Sequence, residues 1–498
     1  MKYSILLFIV FLMFSGKYSE FQTIKKLSDD KSESQTKPNV LFIIVDDLRT
    51  ELGCYDNKKI VSPNIDRIAK GGVVFKRAYS QFPVCGPSRC SILTGLRPTR
   101  TRFTSNRSMV DKEVPQYLTL PKLFKQNGYY TISNGKVFHD HGNIIDGMDG
   151  WSEIPWEPHP GFWVWKAPEN QKYTYEGYQY RKEYQNNPGP SREAPQVEDD
   201  AYPTGVITNK TIQDLQRLKK KDKPFFLAVG YRKPHLPHNA PKRYWDLYNQ
   251  KQFKLADNFN NFKNIPEKAF HNSRELRVYN DIPDTGEINK KTWLELIHSY
   301  YACVSYTDAQ VGKLLDELEK LGLNKNTIVV LMGDHGYQLT DHGMWSKGTN
   351  FHQAVRAPLI FSMPRRKSDY QINSIVEFVD IYPTLAEMCG LSIPNHVQGK
   401  SFAPIINNSL VDYKQKKVAF SRIGDGETII TEKYIYTEWI NEKGFTYERM
   451  LFNLEDDPLE TNNLAGLKKY KKTENNLSEM LNKKIIEINN RPQNLDKE

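Results

Sequence analysis

The sequence predicts an α/β protein: a large, mainly parallel sheet between layers of helices, followed by a smaller C-terminal α+β subdomain that contains an antiparallel sheet. Three observations predict it. Apolar runs of strand length end abruptly in charged residues, helix-like patterns closed by glycine lie between them, and near the C-terminus the pattern turns to alternation of apolar and polar residues.

The elements follow in chain order. "NVLFIIVDD" (39–47) is a continuous apolar, β-branched run, as a strand buried on both faces of a parallel sheet requires, and it stops at Asp46 and Asp47. "SPNIDRIAKGG" (62–72) and "TLPKLFKQNG" (119–128) read as helices that end at glycine. "GYYTISNGKVFH" (128–139) is a second strand and delivers Lys136 and His139, and "PFFLAVGYRKPH" (224–235) is a third that stops at His235. "DAQVGKLLDELEKLG" (308–322) is a helix, and "NTIVVLMGDHG" (326–336) is a fourth strand ending in Asp334 and His335. "FSRIGDGETIITEKYIYTEWI" (420–440) alternates like strands of a small antiparallel sheet, and "NNLSEMLNKKIIEINN" (475–490) like a packed amphipathic helix. There is no internal repeat, and "IGDGET" lacks the spacing of a phosphate-binding loop.

The ends and the composition bound the rest. "MKYSILLFIVFLMFSG" reads as a secretory signal peptide, taken as residues 1–19, with a polar linker over 20–37, a main domain over 38–410 and the C-terminal subdomain over 411–498. No internal stretch is long and apolar enough to predict a transmembrane helix, so no stable membrane insertion is expected once the signal is removed. The expected location is secreted or periplasmic in a bacterium, lysosomal or secreted in a eukaryote. The net charge of +10 is spread along the chain, with no basic block except "KKYKK" (468–472). It suits an anionic partner; no zinc finger, basic helix or RNA-binding signature supports a nucleic acid. Five cysteines are few for a secreted chain of 498 residues, so the core and not a disulfide framework carries stability.

In open α/β sheets the loops at the carboxyl ends of the strands form the active site, and the polar residues above would all arrive at that edge. Asp46, Asp47 and Asp334 cannot all ionise in one cleft without a compensating cation, so they imply a metal. Oxygen-rich coordination favours calcium or magnesium, with His335 as the odd ligand. A lone Asp-Asp at a strand end is more often a loop or cap feature, and a lone histidine such as His235 more often belongs to a loop or core.

The stretch "VCGPSRCSILTG" (84–95) sharpens this. A disulfide between Cys85 and Cys90 would close a loop too short to gain much from cross-linking. "CGPSR" followed by "CSILTG" resembles the signature of the type I sulfatases of the alkaline phosphatase superfamily, in which the leading cysteine is converted to formylglycine. Cys85, Pro87, Ser88, Arg89 and Gly95 match it. "GYYTISNGKVFH" resembles the second family signature, with Asn134 where a small or aliphatic residue is usual. The likeness runs from "PNVLFIIVDDLR" to "ERMLFNLEDDPLETNNL". Within the family, "FFLAVGYRKPHLP" and "DHGYQLTDHGMWSKGTNF" look most like the iduronate-2-sulfatase branch and its bacterial polysaccharide-sulfatase relatives.

The resemblance implies an alkaline-phosphatase-like fold and a sulfuric ester hydrolase. It implies one calcium ion held by Asp46, Asp47, Asp334, His335 and formylglycine 85, with Arg89, Lys136, His139, His235 and Lys347 around the aldehyde and the sulfate. A hydrated aldehyde carries two hydroxyls on one carbon, one to attack sulfur and one to eject sulfate afterwards. The implied partners are a sulfated oligosaccharide or polysaccharide, either a glycosaminoglycan uronate 2-sulfate or an algal polysaccharide such as ulvan, and a formylglycine-generating enzyme. Two alternatives stand beside it: a phosphodiester or phosphonate hydrolase of the same superfamily, which would need a different metal set if it used two ions, and a non-catalytic protein that binds sulfated glycans. Tyr337, Trp345, His342 and His352 could reach a sugar, although aromatic residues near a cleft more often pack.

Overall fold

The computed structural model describes residues 37–139, 146–158, 189–364, 370–407 and 415–490. The segment read as a signal peptide, nearly all of the expected linker, and residues 159–188 lie outside them.

Seven strands form the main sheet: β1 (Asn39–Val45), β2 (Gly72–Phe75), β3 (Tyr130–Gly135), β4 (Phe225–Tyr231), β5 (Thr327–Gly333), β6 (Leu359–Ser362) and β7 (Tyr370–Ile372), in the spatial order β7-β2-β6-β5-β1-β4-β3. Only β6 runs against its neighbours; β5, β1, β4 and β3 are mutually parallel. The mainly parallel sheet expected from the apolar runs is therefore present. All seven residues of β1 are buried, because both faces of the sheet are covered. Leu41, Ile43 and Val45 face one apolar cluster with Leu227, Val229 and Leu331, while Val40, Phe42 and Ile44 face a second with Phe226, Ala228 and Met332.

Helices α1 (Pro63–Ala69), α2 (Cys85–Thr94), α3 (Leu120–Gln126), α4 (Pro203–Lys219), α5 (Arg274–Arg277) and α6 (Lys290–Lys320) supply much of the cover. Proline stands in the first turn of α1, α3 and α4, where its missing N–H costs nothing. α2 is buried along its whole length and stops at Gly95, whose φ of 70° is the left-handed conformation that glycine adopts without strain. α4 and α6 pack on the first cluster, through Ile207, Leu215, Leu296 and Val304.

The C-terminal alternation forms a four-stranded antiparallel meander, β8 (Val418–Ile423), β9 (Gly426–Thr431), β10 (Tyr434–Ile440) and β11 (Thr446–Asn453). Helix α7 (Lys471–Asn490) follows it, and its Leu477, Leu481 and Ile488 pack on Phe420, Ile429, Tyr436 and Leu451 of the sheet. The boundary expected at 410/411 falls in residues 408–414, outside the described residues. Among the described residues, no helix is long and apolar enough to cross a membrane.

Candidate active site

The four strand ends meet where four adjacent parallel strands finish. β1 ends in Asp46 and Asp47, β5 in Asp334 and His335, β4 leads to His235, and β3 to Lys136 and His139. Consecutive residues of a strand point to opposite faces. Asp47 breaks that rule with a left-handed φ of 60°, and its turn is held by Tyr300, whose hydroxyl donates to the Asp47 carbonyl (2.8 Å) and accepts from the Arg49 N–H (3.0 Å). As a result both aspartates contribute to one cluster: ligand atoms of Asp46, Asp47, Cys85 and His335 all lie within 4.8 Å of one another, and all four residues are buried.

Cys85 opens helix α2, and its Sγ is 3.2 Å from His335 Nε2. It forms no disulfide, and neither do the other four cysteines. His335 Nδ1 lies 2.8 Å from the Gly336 carbonyl, which can only accept, so Nδ1 donates there and Nε2 faces Cys85 and Asp47 Oδ1 (3.5 Å). Asp47 Oδ1 is itself buried without a hydrogen-bond partner. An imidazole nitrogen and a bare carboxylate oxygen turned toward one point are the donors a cation there would take. Asp334 is placed differently: Oδ1 accepts from the Asp47 and His335 N–H groups (both 3.1 Å) and Oδ2 from Arg89 Nε (2.9 Å). Its Oδ1 also lies 3.6 Å from His335 Nε2, at the edge of the cluster.

The cations interleave with these carboxylates. Arg89, fully buried, bridges Asp334 and Asp46 (3.4 Å) and donates to the Lys136 carbonyl. Lys136 Nζ is 2.5 Å from Asp46. Its backbone runs so close to Gly230 that a Cβ there would sit 1.9 Å from the Lys136 carbonyl oxygen, so the strand pair delivers the lysine only with glycine at 230. Lys347 Nζ is 2.9 Å from Asp47 Oδ2 and 2.8 Å from Glu275 Oε1. The loop that carries it turns through left-handed conformations at Thr340, His342 and Ser346, a concentration of backbone strain typical of functional loops. His235, one-fifth exposed, lies 3.1 Å from Glu275 Oε1 and 3.9 Å from Asp47 Oδ2. His139 sits half-buried on the loop after Lys136.

Burial would raise the Asp46 carboxyl, yet Lys136, followed by His235, Arg89 and Lys347, holds it well below its usual range. Burial prevails at Asp334, which is raised despite His335 and Arg89. Burial and the neighbouring Asp46 push the Cys85 thiol well up, so the unmodified side chain is a neutral thiol and no thiolate nucleophile. At Lys347, Asp47 and Glu275 outweigh burial and keep the ammonium charged.

Glu275 is the residue the sequence did not disclose. It lies on α5, a single helical turn in a segment without periodicity, and nothing in "NSRELRVYN" separates it from a solvated glutamate. Tyr337 and Trp345, in contrast, are fully buried and pack among His238, Tyr300 and Trp293. Asn134, the departure from the second signature, has a local account: its amide donates to Asp214 (2.8 Å) and Thr211 (3.2 Å) on α4.

The sulfatase family model matches residues 38–391, and the model of the N-sulphoglucosamine sulphohydrolase C-terminal region matches residues 340–487. The chain belongs to the sulfatase family. As such it is a sulfuric ester hydrolase. It is 34% identical over 417 residues to the iduronate 2-sulfatase of Homo sapiens, covering 75% of this chain and 73% of that protein. It is 28% identical over 474 residues to an ulvan-active sulfatase of Formosa agariphila, covering 92% and 83%. A solved structure of a protein in complex with its substrate D-glucosamine-2-N,6-O-disulfate superimposes with a TM-score of 0.71 at 24% identity, over 93% of this chain and 100% of that one. The fold is the alkaline-phosphatase-like fold of the sulfatases.

Proposed function

We propose that this sulfatase is secreted and removes sulfate from a uronate-containing sulfated polysaccharide or its oligosaccharides, with residue 85 as formylglycine and one calcium ion beside it. The observation that carries the reading is the bare, buried Asp47 Oδ1 among Asp46, Cys85 and His335 Nε2, at the head of a helix that begins with the sulfatase signature.

The donors fit a hard cation: carboxylate oxygens from Asp46, Asp47 and Asp334, one imidazole nitrogen, and an oxygen at residue 85 in place of Sγ. Calcium held there would neutralise sulfate oxygens, and the hydrated aldehyde would supply the attacking hydroxyl. The chain's own residues do the rest. Arg89 and Lys136 hold residue 85 and Asp46 in register. The charged Lys347 faces the non-bridging sulfate oxygens, where negative charge grows in the transition state. His235 donates a proton to the sugar oxygen as the S–O bond breaks and its electron pair stays on that oxygen. His139 completes the wall beside Lys136. Cys85 is 1% exposed and Arg89 is fully buried, so a formylglycine-generating enzyme reads this segment before the fold closes over it.

The iduronate 2-sulfatase relative points to a uronate 2-sulfate, and the ulvan-active relative to an algal polysaccharide. Sulfate release by protein coexpressed with a formylglycine-generating enzyme, on a 2-sulfated iduronate disaccharide and on ulvan oligosaccharides, separates the two. Cys85→Ala is the control. Release from the disaccharide alone assigns glycosaminoglycan breakdown, and release from ulvan alone assigns algal polysaccharide breakdown. No release from either, with the aldehyde confirmed by mass spectrometry, refutes this substrate class.

A further inference from the structure

Outside the metal cluster, one carboxylate touches two of the groups assigned to the chemistry. Glu275 Oε1 accepts from Lys347 Nζ at 2.8 Å and lies 3.1 Å from His235 Nε2. The other ring nitrogen of His235, Nδ1, is 2.5 Å from the Leu236 carbonyl. Nδ1 faces a carbonyl that only accepts and Nε2 faces Glu275, so the ring is held at both ends. Lys347 is pinned in the same way, between Asp47 and Glu275. Asp47 Oδ2 also lies near both, 2.9 Å from Lys347 Nζ and 3.9 Å from His235 Nε2, but among the described residues only Glu275 is within hydrogen-bond distance of the two.

We propose that Glu275 is a positioning residue that sets the distance between the cation meeting the sulfate and the donor meeting the sugar oxygen. This rests on the roles given to Lys347 and His235 above. A single oxygen shared by the two keeps them neighbours, one placed for a sulfate oxygen and the other for the sugar oxygen. Without it, Lys347 keeps Asp47 at 2.9 Å, whereas His235, on a loop and one-fifth exposed, keeps the bond at Nδ1 and has Asp47 Oδ2 only at 3.9 Å, beyond hydrogen-bond distance. The cost falls on proton donation, and so on leaving groups that need a proton. Glu275 is not what anchors its own helix: the neighbouring Leu276 is fully buried in the main core, while the Glu275 side chain is one-fifth exposed. Replacing it spares the packing.

The test compares two esters in the same protein preparation. With 4-nitrophenyl sulfate the departing nitrophenolate needs no acid; with the sulfated oligosaccharide that wild type hydrolyses, the sugar alkoxide does. Glu275→Ala is expected to lower kcat on the oligosaccharide by about 100-fold, the scale of a lost general acid, and on 4-nitrophenyl sulfate by less than about 5-fold, and Glu275→Asp to restore part of the difference. Calorimetry with inorganic sulfate supplies a second readout, expected to change by less than about 3-fold because Lys347 keeps Asp47. An equal loss on both esters would show a merely structural role and overturn the proposal. Tighter sulfate binding with kcat on the oligosaccharide preserved would overturn it as well, by showing that Glu275 competes with the sulfate. A wild type inert on both esters with its aldehyde in place would instead remove the roles of residue 85 and His235, and this proposal with them.

Discussion

Two of the buried ionic clusters among the described residues differ in what they leave open. Around Glu377, Arg97 binds both carboxylate oxygens (2.6 and 2.5 Å), Lys416 adds a third charge-assisted bond at 2.6 Å, and the Phe420 N–H a fourth at 2.9 Å. Lys416 also bonds Asp380, so two cations meet two carboxylates and both Glu377 oxygens are taken. Around Asp47, the carboxylates of Asp46, Asp47, Asp334 and Glu275 meet Arg89, Lys136 and Lys347, and Asp47 Oδ1 is bonded to nothing. The first cluster pairs every carboxylate oxygen, leaves only the donor Arg97 Nε without a partner, and joins strand β8 to Glu377 and Arg97; the second leaves a carboxylate oxygen bare. Burial and charge are shared by both. A bare buried carboxylate oxygen is what a cation can bind, and the active-site reading rests on that difference.

The largest expected effect tests whether the open cluster is the chemical one. Cys85→Ala should abolish sulfate release, by a factor on the order of 10⁴ or more, while the thermal midpoint stays near that of wild type; a variant keeping a tenth of the activity would end the reading. Glu377→Ala should do the reverse, costing about 3–5 kcal/mol because Arg97 is left buried without its carboxylate, with kcat per folded molecule unchanged. Burial alone would raise the Glu377 carboxyl, but Arg97 and Lys416 hold it well below its usual range. A depressed carboxyl contributes stability that is full above the unfolded value of about 4.3 and is lost as pH falls below it. Urea unfolding between pH 6 and 3 should therefore show a steeper loss in wild type than in Glu377→Gln.

His235→Ala should lower kcat on the sugar sulfate by about 100-fold or more, and addition of imidazole at millimolar concentration should return part of it. Calcium at about 100 times its Kd should stabilise the apoprotein by about 2.7 kcal/mol, read as a rise in the thermal midpoint. That increment should survive Glu377→Ala and vanish in Asp47→Ala; its survival in the latter would move the metal elsewhere. The smallest effect belongs to a pair outside both clusters. Lys254 and Asp257 are 2.7 Å apart but about two-thirds exposed, and Lys254→Ala should change stability by less than about 0.5 kcal/mol.

The sequence by itself determined the α/β class, the four strand ends, the signature at Cys85 and the chemical types at the sheet edge. Each of these is local: an apolar run such as 39–45 buries both faces of a strand wherever it sits, and the polar residue after it must emerge at the carboxyl edge. The C-terminal alternation was legible for the same reason, since a half-buried strand writes its two faces into successive residues. Only the tertiary structure decided which of the emerging groups meet. The left-handed turn at Asp47, which brings two successive aspartates into one cluster, is held by Tyr300 from a helix more than 250 positions away. Glu275, on a single turn of helix, gains its place from Lys347 and His235, to which no local pattern links it. The closed cluster at Glu377 was equally invisible, because pairing of charges depends on distance in space and leaves no period in the chain.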